Sequence, residues 1–272
     1  MVTTTVEQKR ESFWKLHESG CFVLPNPWDA GSAHLLAGMG FKALATTSSG
    51  YAWSCARPDG QMQRDAVLQH MRSMVEATDL PINADFESGY GRSPDEVYEN
   101  ALLAVATGVA GFSIEDSTGD RQAPVREIQD AVERVRAARE AIDASGSNTL
   151  LTARAENIFL GCADLKDTIE RLQAYAQAGA DCLYAPGIKT REDIRAVVSA
   201  VAPKPVNVLI GWNSDLTVDE LADLGVRRVS VGGALARAAW SGFHNAALAL
   251  KKGRFDAFPS FPTGKELDEL FR

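Results

Sequence analysis

Short β-rich runs alternate with longer helical patterns along almost the whole chain, and this alternation constrains the fold more than any other feature. Eight runs read as strands, at residues 21–25, 42–47, 81–86, 111–115, 149–153, 181–185, 205–210 and 228–231. They recur about every 20–40 residues, the span of one βα unit. Several are apolar on both faces (ALATT, NVLI, VSV), which suits strands buried between a barrel interior and an outer ring of helices. Helices are predicted over 94–107, behind Ser93 as N-cap with Pro94 in the first turn, and over 164–178, 191–201 and 217–224. The segments MGF, TGVAGF, AGAD and LGVRRV share one logic: glycine ends a helix and the next strand starts at once. Eight such units without a linker predict an α/β fold, a single-domain (β/α)8 TIM barrel over 1–272. The competing architecture is a doubly wound open sheet. It wants a GxGxxG turn after the first strand, where the chain instead reads PNPWDAGSA.

Composition narrows the function classes. With 45% hydrophobic and 24% charged residues the chain is that of an ordinary folded domain. Lys and Arg total 28 against 36 Asp and Glu, a net charge of −8, which argues against an electrostatic grip on nucleic acid or on an anionic membrane. No run approaches the roughly 20 apolar residues of a membrane span, and the first twenty residues lack the apolar centre of a signal peptide. Cys21, Cys55, Cys162 and Cys182 form no CxxC pair, so reduced thiols in a cytoplasmic protein are expected.

In such a barrel the chemistry sits at the C-terminal ends of the strands, and the unusual polar residues fall there. The second strand leads into Thr46-Thr47-Ser48-Ser49-Gly50-Tyr51. The third ends in Asn83-Ala84-Asp85-Phe86-Glu87, the fourth in Glu115-Asp116, and the fifth in Arg154-Ala155-Glu156, while Asn207 lies on the seventh. Two residues apart on a strand, Asp85 and Glu87 should face the same way, with Glu115 beside them. Three converging carboxylates repel unless a cation lies among them, and oxygen-only ligands favour Mg2+, or Mn2+. Arg154 offers a planar fork for a substrate carboxylate, or a counter-charge for Glu115 or Glu156. Ser49-Gly50-Tyr51 reads either as a simple loop or as a turn whose N–H groups bind an anionic oxygen. Asp59, in Arg57-Pro58-Asp59-Gly60, reads by itself as a turn residue. Trp28 and the helical His34 and His70 read as packing residues.

The segments NPWDAGSA, TTSSGY, NADFESGYG, SIEDS and TARAE, in this order, resemble the isocitrate lyase/phosphoenolpyruvate mutase superfamily over about residues 13–240. The resemblance implies a Mg2+-dependent barrel that makes or breaks bonds to C3 of a pyruvate-like unit through an enolate. It implies that Ser49, Gly50 and Tyr51 hold the pyruvyl carboxylate and enolate oxygen, and that Asp59 stands near the metal and its waters. Asp85, Glu87 and Glu115 become the metal-binding acids and Arg154 the substrate-carboxylate arginine, with Asn207 part of the substrate site. Asp59, Tyr51 and Arg154 are the expected catalytic residues. Glu87 replaces the more usual Asp. The Lys-(Lys/Arg)-Cys-Gly-His loop of the lyase branch is absent: residues 117–125 read STGDRQAPV, without Cys or His, and the Lys and Asn or Thr of the mutase branch are absent too.

The resulting expectation is a Mg2+-dependent carbon–carbon lyase or decarboxylase of a small 2-oxo or 2-hydroxy di- or tricarboxylate, oxaloacetate-like first. A phosphonopyruvate or carboxyphosphonate enzyme and a non-catalytic 2-oxo acid-binding barrel are the alternatives. The Ala-rich segment from Ala234 with Trp240 and Phe243, followed by Phe255, Phe258, Phe261 and Phe271, is too apolar to stand in water. This apolarity asks for packing on the chain's own barrel or on another subunit; the resemblance implies the second, with residues 234–272 as a helical oligomerisation segment packed or exchanged between the subunits of a homotetramer.

Overall fold

The computed structural model describes residues 3–258 and 262–271. In chain order its elements are α1 (Val6–Glu18), β1 (Phe22–Leu24), α2 (Ala30–Gly38), β2 (Leu44–Ala45), α3 (Ser48–Ser54), α4 (Arg64–Glu76), β3 (Ile82–Asp85), α5 (Pro94–Val105), β4 (Gly111–Glu115), α6 (Ile128–Ala144), β5 (Leu150–Arg154), α7 (Leu165–Gln177), β6 (Cys182–Tyr184), α8 (Arg191–Val201), β7 (Val206–Leu209), α9 (Val218–Asp223), β8 (Arg228–Ser230), α10 (Ala234–Lys251) and α11 (Gly264–Leu270). Every predicted strand forms. The strands pair in parallel in the order β1-β8-β7-β6-β5-β4-β3-β2, and with the helices between them they make a single-domain (β/α)8 barrel.

The ends of the predicted strands are trimmed for a physical reason. Pro81 and Pro205 have no N–H to give the ladder. Their carbonyls still accept, from Leu44 N–H at 3.0 Å and Leu183 N–H at 2.9 Å, so β3 and β7 begin one residue later. Between β1 and β2 the barrel closes without a ladder. Ala45 N–H donates to Pro25 O at 3.0 Å. The Asn26 side chain donates to Thr46 O and accepts from Val231 N–H and Gly232 N–H, each at 2.9 Å. One buried amide thus staples the tops of β1, β2 and β8.

The polar N-terminal segment, assigned to no element by the sequence, is the helix α1. Thr5 caps it in a capping box with Gln8. Its Phe13 is fully buried with Leu24, Ala43, Ala110 and Leu150, closing the bottom of the barrel. Lys9 donates to the carbonyls of Val75 and Thr78, and Arg10 to those of Val105 and Val109. These two buried cations answer the electron-rich C-terminal ends of α4 and α5.

The predicted helices form at 94–105, 165–177, 191–201 and 218–223. Asp164 caps α7 by accepting from Lys166 and Asp167 N–H. Gly179 ends it with φ +105°, and a Cβ there would stand 2.6 Å from Arg139 Cγ. Backbone conformation and helix packing both require glycine at that position. All four cysteines are free, and no helix among the described residues is long and apolar enough to cross a membrane.

Candidate active site

The C-terminal ends of the strands surround a cavity of about 470 Å3 whose lining includes Asp59, Asp85, Ser113, Arg154, Tyr184, Asn207, Arg228 and Arg237. Asp85 is the last residue of β3 and sits at its centre. Its Oδ1 accepts from Arg154 Nη1 at 2.8 Å, and its Oδ2 from the Ser48 N–H, the first of α3, at 3.0 Å. Its own N–H donates to Thr46 Oγ1 at 2.8 Å. Groups at the ends of β2 and β5 and at the start of α3 thereby fix the carboxylate at the end of β3.

Register brings the other charges in. Glu115 ends β4 directly opposite Arg154 at the end of β5. Arg154 Nη2 lies 3.2 Å from Glu115, and Nε donates to Glu156 at 2.7 Å. The guanidinium therefore sets one positive charge among three acids, the counter-charge role read from the sequence. Two of its five N–H groups stay uncommitted. Arg154 lessens the repulsion between Asp85 and Glu115 without cancelling it. Burial drives Glu115 well above the usual carboxylate range; Arg154 opposes this, while Glu156, Asp85 and Glu87 reinforce it. Glu156 is raised by burial against the same guanidinium.

Glu87 reaches the cluster differently from the expected strand alternation. The strand stops at Asp85, and Glu87 lies in the following turn at φ +46°. Its carboxyl accepts from the Tyr90 hydroxyl. Burial pushes it up to about 7; Tyr90 holds it down, and Asp85 and Asp59 push it further up. Asp59 is more than a turn residue. Raised by burial and then by Asp85, and restrained by the Ser48 side chain and Gly60 N–H, it lines the cavity with Asp85.

Residues 49–51 are neither a loop nor an open turn. They form the first turns of α3, capped by Thr47. Ser49 lines the cavity and hydrogen-bonds Thr47 Oγ1 at 3.0 Å. Gly50 does not reach it: a Cβ there would meet Thr47 Cγ2 at 2.7 Å and Trp28 Cβ at 2.9 Å, so glycine serves close packing. Tyr51 is turned away from the main cavity. Its ring stacks on His70 at 3.8 Å and its hydroxyl donates to Ala66 O, while its N–H is spent inside the helix on Thr47 O. His70 is held neutral, its pKa lowered to about 4 chiefly by burial. Asn207 lines the cavity with its amide largely committed, accepting from Arg228 Nε and donating to Ser230 Oγ.

Sequence reasoning assigned no catalytic, binding or metal role to several groups at the site, although it marked the strand-six end at Tyr184 as a determinant of the substrate. Tyr184 lies on β6 with its ring 5.1 Å from the Arg154 guanidinium carbon, and burial pushes its phenol up to about 12. Arg228, only 2% exposed, points into the barrel from a strand that reads as apolar. Its partners are the neutral Asn207, Asn83, Thr152 and His17. Asp116 accepts from Glu156 N–H, Arg171 and the Tyr175 hydroxyl, tying the ends of β4 and β5 to α7. A charged residue at an inward position of a strand was the available signal for Arg228. Asp116 stands beside Glu115 at the strand end in the sequence, but its partners Arg171 and Tyr175 come only from tertiary packing. The 117–125 loop folds on itself through a Ser117–Val125 bridge, and none of its side chains lines the cavity.

The donor set bears on a cation. Among the described residues no three acidic, His or Cys side chains are close enough to enclose an ion directly. The charge of Asp85 nevertheless reaches Asp59, Glu87 and Glu115, raising all three. This is an all-oxygen set, suited to a hard divalent ion that keeps most of its own waters.

Comparison with known proteins matches nearly the whole barrel. The sequence model described as phosphoenolpyruvate phosphomutase matches residues 13–251. A provisionally named lyase/mutase from Burkholderia cenocepacia J2315 has the same structure with a TM-score of 0.95 at 48% identity, over 98% of this chain and 97% of its own. The oxaloacetate decarboxylase of Pseudomonas putida (strain KT2440) is 30% identical over 255 residues, 90% of this chain and 85% of that protein. The structure of oxaloacetate acetylhydrolase with its product oxalate aligns with a TM-score of 0.88 at 25% identity, over 99% of this chain and 95% of that one.

Proposed function

The chain belongs to the phosphoenolpyruvate phosphomutase family, and from that premise we propose that it is a Mg2+-dependent carbon–carbon lyase. Its substrate is a small 2-oxo or 2-hydroxy di- or tricarboxylate, with decarboxylation of an oxaloacetate-like acid as the first reaction to test. The observation that carries this reading is Asp85, held between the Ser48 N–H and Arg154 with Asp59, Glu87 and Glu115 around it. The oxaloacetate-directed chemistry of two relatives supports the substrate class.

Asp85, helped by Asp59, Glu87 and Glu115, would hold the ion, largely through water. A bound Mg2+ supplies Lewis-acid polarisation of a 2-oxo oxygen. The two uncommitted N–H groups of Arg154 take the adjacent carboxylate. Ser49, at the cavity wall, donates to the same end of the substrate. The C3–C4 bond then breaks, CO2 departs, and the electron pair passes onto the 2-oxo oxygen as an enolate. Tyr184, whose phenol at about 12 keeps its proton at neutral pH, delivers that proton to C3 and is reprotonated from solvent. None of these steps needs the missing loop cysteine.

The expected result is Mg2+-dependent pyruvate release from oxaloacetate above the spontaneous rate, lost in excess chelator and restored by Mg2+ or Mn2+. Pyruvate release from substituted malates alone would move the reading to retro-aldol cleavage. Phosphate release from phosphonopyruvate, or tight binding of 2-oxo acids without turnover, would overturn it.

We also propose that the enzyme is a cytoplasmic homotetramer built through residues 234–272. Of the 18 residues of α10 only Ala236 and Ala249 are buried, while Trp240 and Phe243 remain 45% and 68% exposed. Phe255, Phe258 and Phe271 are exposed as well, and Phe261 lies outside the described residues. An apolar face of this kind asks for a partner. Light scattering at micromolar concentration should give four times the chain mass; a monomer there would refute the assembly.

A further inference from the structure

Beneath the acid–arginine cluster the barrel holds a second arginine that no acid answers. Arg228, at the start of β8, is 2% exposed and lines the cavity with Asn83, Asn207 and Ser230. Its Nε donates to Asn207 Oδ1 and its Nη2 to Thr152 Oγ1, each at 3.0 Å, and its Nη1 lies 3.4 Å from both Asn83 Oδ1 and His17 Nε2. None of these partners carries a negative charge. His17 Nδ1 stands 2.8 Å from the Phe13 carbonyl, so the ring proton is there and Nε2 faces Arg228 as an acceptor. The ring is neutral, its pKa lowered to about 3 by burial and then by Arg228. Among the described residues no carboxylate pairs with Arg228.

Folding by itself gives no reason for this charge. Barrel interiors are ordinarily filled by branched apolar side chains. A guanidinium keeps its charge when buried, and neutral partners offset only part of the desolvation penalty. The neighbours are shaped around it: Gly111 leaves room for the Asn83 amide, since a Cβ there would stand 2.9 Å from Asn83 Oδ1. Asn83 and Thr152 precede the strand-end groups Asp85 and Arg154 by two residues. The partners of Arg228 thus lie one side-chain layer below the site, about 7 Å down the strands, a range over which charges in a partly dry cavity still act on one another.

We infer that Arg228 is a specificity-determining residue: a fixed positive charge beneath the site that selects dianionic over monoanionic ligands without touching them. The site above has use for such a charge. Arg154 faces Asp85, Glu115 and Glu156, and Asp59 lines the same cavity. A dicarboxylate entering there adds two negative charges, and Arg228 attracts it without being consumed by any of the acids. That the ligand is a 2-oxo or 2-hydroxy acid rests on the function proposed above; the selection by charge rests on Arg228 and its neutral partners.

The test is calorimetric binding of oxalate and of its near-isosteric monoanion oxamate with Mg2+ saturating, and of Mg2+ alone. The wild type should prefer oxalate. Arg228→Gln removes the charge, and Asn207→Asp cancels it in place by setting a carboxylate against the guanidinium. Each should cut the oxalate-to-oxamate affinity ratio by roughly three- to thirty-fold. Arg228→Lys loses the fork but keeps the charge, and should retain most of the preference. Mg2+ alone should bind the two charge-cancelled variants at least as tightly as the wild type, since a repelling cation is gone. A purely structural role would weaken Mg2+ and both anions together, and that result overturns the inference. So does an unchanged ratio in the charge-cancelled variants, a loss in Arg228→Lys equal to that in Arg228→Gln, or a wild type without preference. Should Arg228→Gln not fold, Asn207→Asp decides alone. Pyruvate release with an unchanged ratio leaves the proposed reaction standing and removes this role; a charge-dependent ratio without turnover of any 2-oxo or 2-hydroxy acid does the reverse.

Discussion

Asp85→Ala is expected to lower turnover by roughly a thousand-fold or more while leaving the protein folded. Such losses follow when the group that positions the reacting oxygen and its counter-charge is removed. The structural cost is small because Arg154 keeps Glu115 and Glu156 as partners. The group left unsatisfied is the Ser48 N–H, which donates to Asp85 Oδ2. Losing that bond at a partly buried helix end costs about 1 kcal/mol. Asp85→Asn retains an oxygen for Ser48, so its melting temperature should match the wild type while its activity falls as far. Pyruvate-release kinetics beside thermal melts separate the two effects. Wild-type turnover in either variant would remove Asp85 from the centre of the site.

Arg154→Met should show the opposite balance, with a large loss of stability. The side chain meets three carboxylates at 2.7–3.2 Å, and removing the cation leaves them crowded in a site that excludes most water. Breaking a buried ion network from one side costs about 3–5 kcal/mol. The deficit should depend on pH, and its sign follows from linkage. Without Arg154, the one group that opposes burial at both Glu115 and Glu156, these acids titrate still higher in the folded state than in the unfolded chain. Stability is then fullest below the unfolded carboxylate range and is lost as pH rises through the raised folded values. Melts at pH 5, 6, 7 and 8 should show the gap between variant and wild type widening with pH. Arg154→Lys should fall between them, since one ammonium cannot serve three acids in the plane of a guanidinium. A pH-independent gap, or none, would mean that the acids find their compensation elsewhere.

Much of the barrel is legible in the sequence because its determinants are local. Strand and helix periods, Ser93 as a cap, and Gly179 as a stop each act within a few residues of themselves. Their repetition leaves few topologies, and the rule that barrel chemistry lies at strand ends then points to Asp85, Glu115 and Arg154. The α1 plug was not legible, since its Lys9 and Arg10 read as surface charges until the ends of α4 and α5 supply carbonyls for them. The α3 segment looked like a loop because Ser48, Ser49 and Gly50 are weak helix formers. The Thr47 cap and packing against Trp28 and Ala236 make it helical.

By itself the sequence determined which residue types stand at the ends of which strands, and hence an oxygen-rich barrel mouth that also carries an arginine. Only the tertiary structure decided how those residues are spent. Cross-strand register sets Glu115 against Arg154 and adds contacts with three acids to whatever else the guanidinium binds. Helix α3 directs the Tyr51 ring onto His70, away from the cavity. Barrel closure sends Arg228 inward among neutral partners and leaves Arg237 at the rim with one carbonyl. Each outcome depends on pairings between residues tens to hundreds of positions apart. Electrostatic partnership falls off over a few ångströms of space and takes no account of distance along the chain.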